Sequence, residues 1–211
     1  MGRLPDLLAE PLAGRITLRA PVTSVSGAGV TVEGGTTVQA GQVVLAADGA
    51  AAAGLLGEKP PMYKPAVTSY FAAADAPTRH PILVLDGEGT GPANHVAVLS
   101  NVAPEYAPEG RHLVSVSGVG AAARDPEAFR RKAPPQLRRW FGPGVEAWEH
   151  LRTYAIPHAL PMHPPGSVDG TGEPLTRDDG LLVTGDHTAF GAIQGALLAG
   201  RRTAERILAA G

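Results

Sequence analysis

The sequence predicts a mixed chain, α/β at its two ends and α+β as a whole, and three observations carry that expectation. Near the C-terminus, GLLVTGDHTAFGAIQGALLAGRRTAERIL joins a short apolar run to a long segment of helical periodicity. Near the N-terminus, hairpin signals lead into QVVLAA, residues 42–47. That run reads as continuously apolar, the pattern of a strand buried on both faces. Between these ends, four strand-like runs separated by Pro/Gly/Asp clusters suit a mixed or antiparallel sheet.

Each element follows from local chemistry. Residues 3–13 read as a short helix with Leu4, Leu7, Leu8 and Leu12 on one side. Residues 15–19 alternate and 22–25 continue the strand pattern. Gly27-Ala28-Gly29 then turns the chain into residues 30–33, and Gly34-Gly35 turns it into 36–38. Asp48-Gly49 ends the apolar run, and residues 50–56 form a short alanine-rich helix. The proline-bearing stretch 58–65 marks a domain crossing. The four strands beyond it are 66–74, 81–85, 95–101 and 112–117. Asp125 as N-cap and Pro126 at the first helical position open a helix carrying Phe129, Leu137, Trp140 and Phe141. Pro134-Pro135 is expected to break that helix midway. Residues 148–156 make another strand, followed by a Pro-rich loop, 157–165, and the last strand, 181–184. In the closing helix Ile193, Leu197, Gly200, Ala204, Ile207 and Leu208 lie on a stripe expected to face the core. No internal repeat is present.

Composition excludes several classes. With 211 residues, 44% hydrophobic and 18% charged, the chain is globular rather than disordered. A net charge of −2 and a pI of about 6.4 give no electrostatic case for nucleic acid or an anionic membrane. The absence of cysteine removes disulfides, thiolate nucleophiles and zinc–thiolate sites. No apolar run reaches membrane-spanning length and the opening MGRLPDLLAE has no signal-like apolar core, so a cytoplasmic location is expected. Lysine occurs only at Lys59, Lys64 and Lys132, a bias of genome composition before function.

Strand, Gly185-Asp186, small-residue loop and helix start follow one another in the last segment. This order presents unpaired backbone N–H groups and a positive dipole end to whatever lies above the turn. An ordinary βα unit whose aspartate caps a turn satisfies the pattern equally. The other constellations carry less. Gly118-x-Gly120-x-x-Ala123 follows a strand, but its helix starts only at Asp125-Pro126, so the dipole is not aimed at the glycines and the segment reads as a loop. Gly27-x-Gly29 has Val32 where a third glycine would stand. His158 and His163 lack metal-ligand grammar and no metal is expected. His187, beside Asp186, either faces a ligand or is a loop histidine satisfied by solvent. Arg130, Arg131, Lys132, Arg138 and Arg139, interleaved with Asp125 and Glu127, read as a solvated face. No G-x-S-x-G elbow occurs.

Taken whole, Gly185-Asp186 with Gly191-Ala192-Ile193-Gln194-Gly195-Ala196 through Gly200-Arg201 resembles the closing segment of FAD-dependent oxidoreductases of the amine oxidase and phytoene desaturase superfamily. The resemblance implies that Gly185 and Asp186 lie beside the ribityl chain, whose hydroxyls the carboxylate accepts. It also implies that Ile193, Gln194, Gly195 and Ala196 open a helix facing the flavin N1–C2=O edge. Met1-Gly2-Arg3-Leu4-Pro5 is similar to the family's G-M-x-x-L-P segment, and the strands of residues 16–46 to the sheet that follows it, with Val22 matching the valine against the adenine. Asn94-His95-Val96, Trp140-Phe141-Gly142 and residues 154–161 resemble positions of bacterial phytoene-desaturase-like members. Catalysis in the family is hydride transfer to flavin N5, with no side chain required as base. Where amine oxidases place a cage tyrosine, this chain has Phe190, Gly191 and Ala192, which favours an apolar or polyene-like substrate over an amine.

The family's opening strand, G-x-G-x-x-G and helix, which hold the FAD pyrophosphate, are missing. The resemblance therefore implies an incomplete FAD-binding domain of the amine oxidase type, residues 1–57 and 166–211, with a substrate-domain portion at 58–165. Its expected partners are an N-terminal dinucleotide-binding polypeptide and a second copy of itself. The other reading is a truncated, non-catalytic folded remnant or binding module without bound cofactor.

Overall fold

The computed structural model describes residues 2–167 and 169–211, so Met1 of the Met1–Pro5 match lies outside the described residues. The chain divides into two compact units. One comprises the residues before Met62 together with those from His163 onward; the other is Met62–Met162.

The first unit opens with α1 (Arg3–Ala9) and a 3-10 turn, Glu10–Leu12. The expected helix over 3–13 is thus cut at Ala9, because Pro11 has no amide proton to continue the ladder. No residue of α1 is buried, and Leu4, Leu7, Leu8 and Leu12 are 38–53% exposed. The strand expected over 15–19 does not form. Gly14 and Arg19 both have positive φ, and Ile16 and Leu18 between them pair with nothing and stay exposed. The two hairpins do form: β1 (Val22–Ser26), β2 (Gly29–Val32) and β3 (Thr37–Gln39) make an antiparallel sheet. Gly34 and Gly35, at φ +89° and +83°, supply the left-handed turn between β2 and β3. Residues 42–47 yield only a two-residue ladder, β4 (Val44–Leu45). Val43 and Leu45 are buried while Val44 is 37% exposed, so this strand is covered on one face rather than two. Asp48 caps α2 (Gly49–Leu56) by accepting from the N–H groups of Ala50 and Ala51.

The second unit is a five-stranded antiparallel sheet with one helix across a face. Its strands are β5 (Tyr63–Ala73), β6 (Leu83–Leu85) and β7 (His95–Val98), which passes into α3 (Leu99–Val102), then β8 (His112–Val119). α4 (Pro126–Phe141) and β9 (Glu149–Pro161) follow, and the strand order is β6-β7-β8-β5-β9. Alternation along β5 and β8 sends Val67, Phe71, Val114 and Val116 to one face, where they pack on Phe129, Ala133 and Leu137 of α4. That helix runs unbroken through Pro134-Pro135, contrary to expectation. The carbonyls deprived of donors, four residues earlier, belong to the exposed Arg130 and Arg131, where water can serve them, while the buried face remains apolar. The loop expected over 157–165 is likewise shorter, because β9 reaches Pro161. β9 is the outer strand of the sheet, and Pro157 falls in a break of its register with β5, between Ile156 and Leu160.

The chain then returns to the first unit through β10 (Leu175–Thr176), β11 (Leu182–Val183) and α5 (Ile193–Ala210). β11 lies between β10, antiparallel, and β4, parallel. On one face of this sheet Val43, Leu45, Leu181 and Val183 form a core with α2 and the hairpin residues Val25 and Val30. On the other, α5 seats through Gly195, Ala199 and Thr203, with the Thr203 hydroxyl donating to Thr184 Oγ1 at 2.9 Å. The bulky stripe expected to face this core points elsewhere: Ile193, Leu197 and Leu208 are 47%, 46% and 81% exposed. Small residues let the helix backbone approach the sheet, and that close seat decides which face is buried. A further tie spans the unit, where the Gly27 N–H donates to Asp179 Oδ2 at 2.8 Å. Together with the Leu181 N–H it holds the Asp179 carboxyl below the usual carboxylate range. A Cβ on Gly27 would stand 1.9 Å from the Asp179 carbonyl oxygen, so this glycine is required by packing.

Candidate functional site

Parallel pairing of β4 with β11 brings two carboxyl-terminal turns side by side, since Leu182 aligns with Val44 and Val183 with Leu45. In open α/β sheets, ligands bind in the crevice beyond these strand ends. After β4 the chain turns at Asp48-Gly49 into α2; after β11 it turns at Gly185-Asp186, makes a 3-10 turn over Asp186–Thr188, and enters α5. Thr188 locks the second turn, its hydroxyl donating to the Gly185 carbonyl at 3.0 Å and accepting from the Gly185 N–H at 3.2 Å. Ala192 precedes α5 in extended conformation, and among the described residues no side chain caps the helix, so its first-turn N–H groups have no side-chain acceptor.

The residues singled out from sequence fall unequally around this crevice. Asp186 is one-third exposed, and its Oδ1 lies 3.9 Å from Nδ1 of His187. Gly185 has extended backbone; its role is space, since a Cβ would stand 2.7 Å from His187 Nδ1. At the start of α5, Ile193, Gln194 and Ala196 are exposed. Gly195 is buried, and a Cβ there would stand 1.9 Å from the Phe190 carbonyl oxygen, so it fixes the approach of the loop to the helix. Val22 stands apart, 37% exposed at the start of β1 in the hairpin sheet.

His187 is not a solvated loop residue. Its side chain is 9% exposed, and its Nδ1 is buried with no hydrogen-bond partner among the described residues. Desolvation lowers its pKa, against the pull of Asp186 and Asp48 and with the help of His163. It lines a cleft of about 720 Å³ together with Gly49, Ala52, Leu56, Leu175 and Val183. Asp48 and His163 were not flagged as site residues by sequence. A parallel partner for the β4 end could have suggested Asp48, whereas nothing local points to His163, whose Nε2 is also buried and unpartnered.

This arrangement fits one end of a flavin cofactor. A carboxylate free to accept hydroxyls, an uncapped helix start and an orphaned imidazole nitrogen suit a polyol and a polar ring edge. It offers less to a pyrophosphate. Gly118 lies within β8, where a Cβ would stand 2.6 Å from both Phe129 Cε2 and the Pro92 carbonyl oxygen, so its role is packing. Gly120 begins a 3-10 turn that ends before α4. Among the described residues no three His, Asp or Glu side chains converge to hold a metal ion.

A parallel strand pair ending in paired turns, and a separate antiparallel sheet, make a two-unit α/β fold. The chain belongs to the flavin-containing amine oxidoreductase family, whose model matches residues 1–208. Among solved structures, a triple mutant of putrescine oxidase superposes with a TM-score of 0.74 at 17% identity, covering 100% of this chain and 53% of that one. An oxidoreductase from Methanosarcina mazei gives 0.68 at 18% identity, covering 88% and 48%. A protein of Exiguobacterium sp. 255-15, provisionally assigned as a protoporphyrinogen oxidase, gives 0.66 at 13% identity, covering 97% and 50%. The chain thus spans about half the length of the solved structures it matches. No curated protein matches it. Among the described residues no helix is long and apolar enough to cross a membrane.

Proposed function

We propose that this chain is the C-terminal, flavin-contacting and substrate-binding part of an FAD-dependent oxidoreductase. The observation that carries the reading is the crevice at the ends of β4 and β11, with the one-third-exposed Asp186 carboxylate on the turn that leads to the start of α5. In this reading the first unit is the flavin portion and the second the substrate portion. Asp186 accepts the ribityl hydroxyls, and the N–H groups at Ile193, Gln194 and Gly195 face the N1–C2=O edge, where their dipoles favour negative charge. Gly185, by leaving room for the His187 ring, and Gly195, by seating the Phe190 loop, position these groups; Ala196 keeps the approach free of bulk and Val22 lies against the adenine. Bound FAD supplies the hydride acceptor, N5, and the protein's part is to orient the substrate over it and exclude water.

Phe190, Gly191 and Ala192 supply no tyrosine hydroxyl ahead of α5, which supports an apolar or polyene-like substrate over an amine. The pyrophosphate cradle is assigned to a dinucleotide-binding polypeptide that completes the crevice. Titration of FAD into the chain, alone and with such a polypeptide, followed by flavin absorbance and fluorescence quenching, tests the reading. Asp186→Ala should weaken FAD binding by about tenfold or more, the loss of charge-assisted hydrogen bonds to hydroxyls. FAD binding that is indifferent to this substitution in both settings overturns the assignment.

A further inference from the structure

The exposed face of the five-stranded sheet carries a shallow groove lined by residues of the second unit alone. β5 and β9 pair with a break in register: Tyr70 aligns with Arg152 but Phe71 with His150, so Leu151 is an extra residue. Such a bulge re-aims side chains. Here His150 stays on the helix-covered face, its ring 5.5 Å from that of Phe71, while Leu151 and Arg152 both reach the opposite face. There they line a groove of about 560 Å³ with Tyr70, Leu113, Tyr154 and Ile156.

The walls are apolar and aromatic, and one charge stands among them. Tyr70 and Tyr154 meet edge to face at 5.9 Å, and the Arg152 guanidinium lies over the Tyr154 ring at 5.0 Å. The contact holds the guanidinium at the ring face, and among the described residues its N–H groups have no hydrogen-bond acceptor. Among the described residues no carboxylate pairs with Arg152; Glu149, the one acid of β9, is held by Arg111 at 2.8 Å. Three aliphatic side chains, two tyrosines and an unpaired, pre-oriented guanidinium complement an apolar molecule ending in a carboxylate, and the same cation repels an amine.

We infer that this groove binds a single-chain apolar carboxylate, with Arg152 as the residue that selects the anionic head. The inference deepens the reading of the second unit as the substrate portion and rests on that reading. It names the class as hydrophobic acids. Calorimetric titration of the flavin-free chain with decanoate, decan-1-ol and decylamine, all below their micellar concentrations, tests it. Decanoate should bind about tenfold or more tighter than the alcohol, the amine weakest. Arg152→Gln should erase the preference for decanoate over the alcohol, and Arg152→Lys should retain part of it. Leu151→Asn, a neutral polar replacement, should weaken decanoate and decanol alike, whereas Arg131→Gln, on the exposed side of α4, should change nothing. Circular dichroism checks that each variant folds. Equal affinity for acid and alcohol, or decanoate binding unchanged in Arg152→Gln, overturns the inference. Because these titrations contain no FAD, their outcome is independent of the Asp186 experiment, and either reading can fail alone.

Discussion

Gly195 and Gly200 lie five residues apart in α5, and the same substitution should act on them with opposite sign. A Cβ at Gly195 would fall 1.9 Å from the Phe190 carbonyl oxygen, whereas real contacts essentially never drop under 3.0 Å. Either the helix or the loop must therefore move by about 1 Å. Overpacking of this kind costs about 1–3 kcal/mol, more when backbone rather than a flexible side chain stands in the way. Replacing a helical glycine by alanine returns up to about 1 kcal/mol. The clash wins, and Gly195→Ala should destabilise the first unit by about 1–2 kcal/mol or more, roughly 4–15 °C in Tm for a unit of this size. At Gly200 a Cβ meets nothing within 4 Å, so only the propensity term remains. Gly200→Ala should gain about 0.5–1 kcal/mol, roughly 2–6 °C. Thermal melts followed by circular dichroism compare the two variants directly. Equal melting temperatures, or a Gly195→Ala variant more stable than the parent, would refute the close seat of the Phe190 loop on α5.

Three further outcomes follow from the packing. Gln136 is 1% exposed and clamps Ala93, accepting from its N–H and donating to its carbonyl, both at 2.9 Å. Gln136→Leu strands two buried backbone groups and should cost about 2–5 kcal/mol in urea unfolding of the second unit; both tryptophans, Trp140 and Trp148, report on that unit, and a loss under about 0.5 kcal/mol would count against the clamp. Burial lowers the pKa of His187, so in the pH range below its usual value of 6.5 the unfolded chain binds more protons than the folded one. Its stabilising contribution is complete above that value and is lost as pH falls through the folded pKa. His95 acts in the same direction, so the diagnostic is the difference in urea midpoint between pH 7.5 and 5.5 (about one unit either side of the reference) for wild type against His187→Phe; identical differences would place His187 in solvent. Finally, the exposed leucines of α1, the stripe Ile193–Leu197–Leu208 of α5 and the outer side of β9 should drive self-association. Light scattering across a concentration series that holds at 21.6 kDa throughout would show those surfaces to be inert.

Much of this was legible because it is local. Gly34-Gly35 requires a left-handed turn, Asp48 and Asp125 cap the helices that follow them, and the GD turn into α5 is a single βα unit. What sequence obscured is whatever depends on neighbours. Helical periodicity in α5 marks a bulky stripe and a small-residue stripe, and cannot say which one meets the sheet; the Thr203–Thr184 hydrogen bond and the Phe190 contact at Gly195 decide it. Pro134-Pro135 reads as a break because propensity is a local quantity, while Phe129, Ala133 and Leu137 hold both halves of α4 to one sheet. In β9 the proline at 157 hid a strand that continues to Pro161, since an outer strand tolerates what an inner one cannot. His187 lines one cleft with Gly49 and feels the charge of Asp48, both more than a hundred residues earlier, which no window around Gly185-Asp186 contains. The bulge at Leu151, which turns Arg152 into a lone cation on an apolar face, is likewise a property of the pair of strands rather than of either.

The pairing of Tyr63 with Pro161, tied off by the Met162 N–H donating to the Met62 carbonyl at 2.8 Å, has a consequence for the order in which the chain assembles. Residues joined in the first unit, such as Gln42 and Gly180, are 138 apart in sequence, a long loop to close. Once β5 and β9 have zipped to their ends, the second unit becomes a closed neck, and the loop left to close shrinks to roughly 40 residues. Two halvings of loop length save about 1 kcal/mol of closure entropy. Assembly should therefore run from the middle outward, with amides of β5 and β8 protected in pulsed hydrogen exchange before those of β4 and β11. The crevice that reads as the flavin end then forms late, once β11 and the turn after it return to meet β4.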